Sequence, residues 1–454
     1  MSQSFYKLSK LYIVVLYIVL TIIVVGQGYY QRAIIFTLCC LAFYFITNLY
    51  QKRKGFFTVS YLFLLIIFTN FVGCPFYYTS INLLKITTSY STAPLNDYFN
   101  KYAIAFLILA GILIFYLYKS RKIRLPKFGE VKIRNNSSLA VVIPSILLLG
   151  VMLLTRERQT FYGLFIMPFS FFVITFLAKG FKKDNWVILG LLMGAMAIFQ
   201  IYQMRFVVLQ YALPIALALI IACDMKGYRM KSRHFVVLVI LFFLAIICYG
   251  IISNVVKLNV SYGGNYVLKE VLTDTTALKN LFEDQIYRIF QIWTKLGAFI
   301  IYHTDANGFY YGLTYIKPLA GVLGLPYISL PNINAEYLGG GATYAQPGLF
   351  AEGYANFGLI GAVVNILLVF FLMEILFNNF IRNASMVNLI LMCAPFCTIL
   401  LDGGTLNSAI FNIAFGLIAF CVVIATGKHK RLIISSDWKI DTNKKQFQNG
   451  GEYN

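Results

Sequence analysis

Twelve runs of mostly apolar residues dominate the chain, each near the roughly 20 residues that a helix needs to cross a bilayer. They fall at 9–27, 33–50, 56–73, 102–118, 139–154, 163–178, 186–202, 206–223, 235–254, 348–376, 387–401 and 408–426. The fifth is short and holds Pro144, and only a turn around Gln203 to Arg205 parts the seventh from the eighth. With 59% hydrophobic and 12% charged residues over 454 positions, the surface of a soluble domain would lack about half its usual charge. A mean hydropathy of +0.75 agrees. The expected fold is an all-α polytopic membrane protein of about 12 transmembrane helices. Residues 1–254 would carry helices one to nine, 255–347 a large extracytoplasmic loop, 348–426 helices ten to twelve and 427–454 a basic cytoplasmic tail. The first run follows Lys7 and Lys10, lacks a small-residue cleavage site and is soon followed by a second, so it reads as a retained span.

The formal charge of +21 is one-sided. With the N-terminus placed in the cytoplasm, the cytoplasmic loops collect Lys7, Lys10, Lys52, Arg53, Lys54, the run from Lys119 to Arg134, Lys179, Lys182, Lys183, the run from Lys226 to Arg233, Arg382 and the tail from Lys428. Only Arg32, Lys85, Lys101, Arg156, Arg158, Arg205, Lys257, Lys269, Lys279, Arg288, Lys295 and Lys317 fall outside. This is the positive-inside pattern, reinforced by anionic inner-leaflet lipid. Most of the charge is therefore topology, and a nucleic-acid partner is not implied.

The eight cysteines sit mainly within apolar runs and form no CxxC pair, which argues against a disulfide framework or a zinc ribbon. Of three histidines, only His303 falls outside, with no HExxH or paired-Asp motif beside it. No P-loop or GxGxxG fingerprint is present. The sequence thus points to no metal and no cofactor.

The 255–347 loop, roughly 90 residues, is far longer than the ordinary connection. Between Leu278 and Tyr302 it places Leu278, Leu281, Phe282, Ile286, Ile289, Phe290, Trp293, Leu296 and Ile300 at helical spacing, with Asp284, Arg288, Gln291 and Lys295 opposite. Such a pattern predicts an amphipathic helix lying on or dipping into the outer membrane surface. Arg156 and Arg158, Arg205 and Arg288 come from separate outer segments and could converge on one anion, because a guanidinium grips phosphate oxygens in pairs and keeps its charge. Each also fits a simpler role, as an interfacial anchor or, for Arg288 four residues after Asp284, as half of a helix ion pair. Lys295 shares that simpler reading.

The most polar helix mouth is the stretch Gly339 to Gly361, GGGATYAQPGLFAEGYANFGLIG, which carries Glu352, Tyr354 and Asn356 to the border of water and lipid. Partial desolvation would raise the proton affinity of Glu352 toward that of a general base. A plain cap on the helix dipole explains the same carboxylate. His303 is the second candidate base.

With these residues in hand, the chain resembles the oligosaccharide repeat-unit polymerases, the Wzy-type O-antigen or capsule polymerase family. The likeness lies in the twelve-span layout, the large late outer loop, Arg205 in Met204-Arg205-Phe206, Arg288 in Tyr287-Arg288-Ile289, and the run from Glu352 to Gly361. The last of these matches a Tyr-x-Asn-Phe-Gly-x-x-Gly pattern. The resemblance implies a metal-independent membrane glycosyltransferase with the GT-C-like architecture of O-antigen ligases, in a bacterial inner membrane, both termini cytoplasmic and the large loop periplasmic. It implies an undecaprenyl-diphosphate-linked oligosaccharide donor and acceptor, surface polysaccharide or lipopolysaccharide as the product, and leaves room for a chain-length-regulating partner. Catalytic roles would fall to Arg288, Glu352, Arg205 and His303, and substrate binding to Tyr354, Asn356, Arg156, Arg158 and Lys295. No family motif maps onto Arg156 and Arg158. An O-antigen ligase shares these features. A flippase or transporter of lipid-linked oligosaccharides would instead show charges buried within spans, internal repeats and short outer loops.

Overall fold

The computed structural model describes residues 2–54, 58–80, 85–87, 92–94, 98–120, 292–316, 320, 323–337, 347–382 and 406. Helix α1 spans Ser2–Gly26, α2 Tyr30–Arg53, α3 Val59–Phe68, α4 Cys74–Ser80, α5 Phe99–Lys119, α6 Ile292–Asn307, α7 Leu330–Tyr337 and α8 Leu349–Arg382. A short antiparallel ribbon pairs β1 (Lys85–Thr87) with β2 (Thr92–Pro94) between α4 and α5. Among the described residues, Phe5–Gly26, Tyr30–Arg53, Val59–Tyr77, Phe99–Lys119 and Leu349–Asn378 are long and apolar enough to cross a bilayer. The chain is a helical membrane protein. Spans five to nine, eleven and twelve lie outside the described residues.

The first four spans form where the apolar runs predict them. On α1, Leu11, Val14, Val15, Ile18, Val19 and Ile22 are exposed at helical spacing, a stripe suited to lipid, while Ile13, Leu20 and Val24 are buried. On α2, Phe36, Cys39, Cys40, Phe43, Ile46 and Tyr50 face inward. Phe36 stacks on Phe76 at 4.0 Å between ring centres, and Phe43 on Phe68 at 4.5 Å. Lipid supplies no hydrophobic drive between helices, so such close packing and interhelical hydrogen bonds hold them, as with Thr47 Oγ1 and Tyr61 Oη at 3.0 Å. The Thr58 side chain caps α3 by accepting from the Tyr61 N–H.

Between α3 and α4 the helix widens into a π-turn at Thr69–Gly73. The wider turn loosens the backbone ladder, and the Asn70 carbonyl accepts from Thr294 Oγ1 of α6 at 3.4 Å.

Polar contacts fix which helix ends lie together. Lys10 Nζ donates to Gln51 Oε1 at 2.6 Å, Arg53 Nη2 to the Tyr118 carbonyl at 2.8 Å, and Lys54 Nζ to Glu374 Oε2 at 2.9 Å. The start of α1, the ends of α2 and α5 and the far part of α8 therefore share one end of the bundle. Lys101, Asp305 and Tyr354 meet at the other.

Two expectations need correction. The run 348–376 is not one straight span. Phe357 (φ −144°, ψ 25°) and Gly358 (φ 65°, ψ −151°) reverse α8. An arm over 349–356 folds back along the arm over 359–382, so that Asn365 Nδ2 donates to the Leu349 carbonyl at 3.2 Å. Gly353 and Gly361 face each other across the fold, where an added Cβ on either would stand 2.3 Å or 2.2 Å from the other's carbonyl oxygen. Only glycine permits that approach.

The helix predicted over 278–302 to lie amphipathically on the membrane surface is described from Ile292 and continues to Asn307; residues 278–291 lie outside the described residues. Leu296, Ala298, Phe299, Ile300 and Ile301 are all buried, covering every side of the helix. Gly297 sits so close to α5 and α8 that an added Cβ would stand 2.7 Å from Tyr102 Oη and 3.1 Å from the Pro347 carbonyl. The described part of α6 is thus packed into the bundle.

Candidate functional site

The reversal of α8 decides what its polar residues meet. Climbing the short arm, Glu352, Tyr354 and Asn356 reach the Lys101 end of the bundle, where α6 finishes and α5 begins. There Lys101 Nζ lies 2.6 Å from Asp305 Oδ2 and donates to Tyr354 Oη at 2.8 Å, and Tyr354 Oη donates to Asp305 Oδ1 at 2.7 Å. Lysine, carboxylate and phenol close a three-membered ring of hydrogen bonds drawn from three helices. The Lys101 and Asp305 side chains remain about a third exposed, at 33% and 34%. A carboxylate with both oxygens engaged once still has lone pairs for a further donor.

Over this cluster runs a loop from Gly308 to Ile316. Gly308, Tyr311 and Gly312 all adopt positive φ, 92°, 48° and 93°. Tyr311 is the only non-glycine residue in that region among the described residues, and it is 75% exposed. Asn356 holds the loop in place. Its Oδ1 accepts from the Gly312 N–H at 2.8 Å, and its Nδ2 donates to Thr314 Oγ1 at 2.6 Å and to the Glu352 carbonyl at 2.8 Å. The Tyr310 N–H donates to the Ala355 carbonyl at 2.9 Å, and Tyr315 Oη to Asn365 Oδ1 at 2.8 Å. Burial, with Glu352 nearby, pushes the Tyr315 phenol up to about 12.

The sequence-predicted residues are placed as follows. Tyr354 stands in the cluster. Asn356 is fully buried and its amide bonds to the loop and its own helix, so it braces the loop. Glu352 is 1% exposed and its carboxylate accepts the backbone N–H of Leu406. That bond ties the short arm to a distant part of the chain and directs the carboxylate into protein. His303 lies half-buried one turn below the end of α6, with Asn307 Nδ2 on its carbonyl at 2.8 Å and 3.3 Å from its Nδ1. Burial lowers its pKa, opposed by Glu336. Lys295 is half-buried on α6, ten residues before Asp305. Arg156, Arg158, Arg205 and Arg288 lie outside the described residues. Sequence reasoning missed Asp305 and Lys101. The signal available was a charged residue at each of two helix ends assigned to the same side.

A second polar cluster occupies the opposite end. Glu374 Oε2 lies 2.9 Å from Lys54 Nζ, Glu374 Oε1 accepts from Ser60 Oγ at 2.6 Å, and Tyr116 Oη donates to Oε2 at 3.3 Å. The Lys54 and Glu374 side chains are only 1% and 2% exposed. Among the described residues no three His, Cys, Asp or Glu side chains group as a metal site would.

A family model covers residues 1–434. The chain belongs to the DUF6032 family. That family is one of unknown function. No curated protein matches the chain, and no solved structure does.

Proposed function

We propose that this DUF6032 member is a membrane-embedded glycosyltransferase that polymerises lipid-linked oligosaccharide repeat units at the extracytoplasmic face. The observation that carries the reading is the path of the Tyr354–Gly361 motif. It forms the fold-back of α8 and holds Tyr354 against Asp305 and Lys101 in a half-open cluster at a helix mouth. The one-sided distribution of Lys and Arg supports reading that mouth as the outer one.

The reaction joins a growing glycan to a new repeat unit. The bond from the glycan's anomeric carbon to the diphosphate breaks, its electron pair leaving with the undecaprenyl diphosphate. A bond forms from the same carbon to an acceptor hydroxyl, whose proton must be taken up. Asp305 is the carboxylate with free lone pairs at the mouth, so it is the base in this reading, in preference to the enclosed Glu352. Lys101 and Tyr354 orient it. Arg205 and Arg288 are assigned to the diphosphate, where fixed positive charge stabilises the leaving group.

A second reading, transport of the same lipid-linked sugars, draws on the charges buried at Lys54 and Glu374 and on the discontinuous helix α8, both habits of transporters. A deletion strain separates the two. Loss of a polymerase leaves surface chains of a single repeat unit, whereas loss of a transporter leaves no repeat units outside. Full-length chains in the deletion strain would refute both. A ligase, the remaining enzyme alternative, would on deletion leave polymer on the lipid carrier.

A further inference from the structure

We infer that the Lys101 end holds a saccharide subsite built by Asp305 together with the rings of Phe309 and Tyr311, and that its occupant is a neutral pyranose of the acceptor repeat unit. This deepens the polymerase reading and rests on it for the identity of the glycan.

Three observations carry the inference. Phe309 and Tyr311 are exposed, at 41% and 75%, and stand edge to face with ring centres 6.4 Å apart. Phe309 also meets the Tyr354 ring at 6.2 Å, and Tyr354 reaches Asp305 through its hydroxyl, so the rings adjoin the polar cluster. The flat face of a pyranose presents C–H groups and its rim presents hydroxyls. An aromatic ring beside a carboxylate and an ammonium answers both at once, an apolar wall with a few convergent polar groups.

The backbone supplies the second argument. Tyr311 is held at φ 48°, which a bulky side chain adopts only at a cost. A hydrogen bond from Gly312 to the buried Asn356 amide keeps it there. An ordinary interfacial tyrosine that merely floats at the headgroups needs no such support. The strain has the effect of presenting the ring outward beside Phe309.

Charge supplies the third. Lys101 and Asp305 neutralise each other at 2.6 Å. This pair offers a diphosphate no net positive charge, but a sugar hydroxyl can donate to the carboxylate. The site therefore suits an uncharged polyol, and the anionic part of a lipid-linked substrate must lie elsewhere.

The test is binding, read separately from polymerisation. Full-length protein in lipid nanodiscs is titrated with the repeat-unit oligosaccharide released by mild acid from the host's own surface polysaccharide, followed by saturation-transfer NMR and a dissociation constant. Wild type should bind, Tyr311→Ala should weaken binding about tenfold, roughly 1.4 kcal/mol, and Tyr311→Phe should restore it because the ring face returns. Phe309→Ala should weaken binding in the same direction. Both side chains are exposed, and a monodisperse elution profile establishes that each variant is folded. Unchanged binding in Tyr311→Ala, or no binding by wild type, overturns the subsite. So does a loss confined to association with vesicles of phosphatidylglycerol, which would make the rings a lipid contact. If the deletion strain shows normal chains while oligosaccharide binding still depends on Tyr311, the polymerase reading falls and the subsite stands.

Discussion

The two ends of the bundle use the same ingredients under opposite conditions. At one, Lys101, Asp305 and Tyr354 form a ring of hydrogen bonds with the charged side chains about a third exposed. At the other, Lys54, Glu374, Ser60 and Tyr116 form a comparable set with both charges enclosed. An exposed pair is screened and contributes roughly 0–1 kcal/mol, while taking one partner from a buried pair leaves a stranded charge at a cost of about 3–5 kcal/mol. The difference teaches that the Lys54 end is a clasp joining α2, α3, α5 and α8, whereas the Lys101 end stays partly exposed.

The largest effect should come from breaking the clasp on one side. Glu374→Leu alone should destabilise the protein by about 3–5 kcal/mol, seen as a loss of monodisperse material and a lower Tm in detergent. Adding Lys54→Met should recover most of the loss, because no unpaired charge remains. If the single variant is harmless, the clasp is not a clasp.

Next come the glycines of the fold-back. Gly353→Ala puts a methyl group against the Gly361 backbone and must part the two arms of α8, costing about 1–3 kcal/mol. A lower Tm in detergent and a loss of monodisperse material should follow. Asn356→Ala removes the acceptor of the Gly312 N–H and should cost about 1–3 kcal/mol. It should also release the Tyr311 loop to proteolysis. Asp305→Asn should change stability by under about 1 kcal/mol, yet abolish chain extension, the sharpest contrast with Glu374.

The smallest effect is a pH dependence at His303. Burial lowers its folded pKa below the unfolded value near 6.5. The unfolded chain then binds the proton more readily, so stability should fall as pH drops through that value. His303→Gln should flatten this part of the pH–Tm profile.

Much of this arrangement was legible in the sequence. The first four spans follow from apolar length alone. Tyr354 stood out because it sits in a motif at a helix mouth. The fold-back was not, because hydropathy counts apolar residues without regard to chain direction; Gly353, Gly358 and Gly361 were the local clue. The burial of the middle of α6 on all sides escaped for a related reason, since apolar residues face lipid and protein alike in a membrane. Lys54 and Glu374 are 320 positions apart, and no local pattern links them. Asp305 escaped because nothing near it in sequence announces Lys101 or Tyr354, which only the packing of α5, α6 and α8 supplies.

The most direct measurement is the chain-length distribution of surface polysaccharide in a deletion strain complemented with two variants at wild-type protein level. Asp305→Asn should leave single repeat units, and the paired Lys54→Met, Glu374→Leu protein should restore long chains. Long chains from Asp305→Asn, with none from the paired variant, would contradict the account and place the working charges at the Lys54 end.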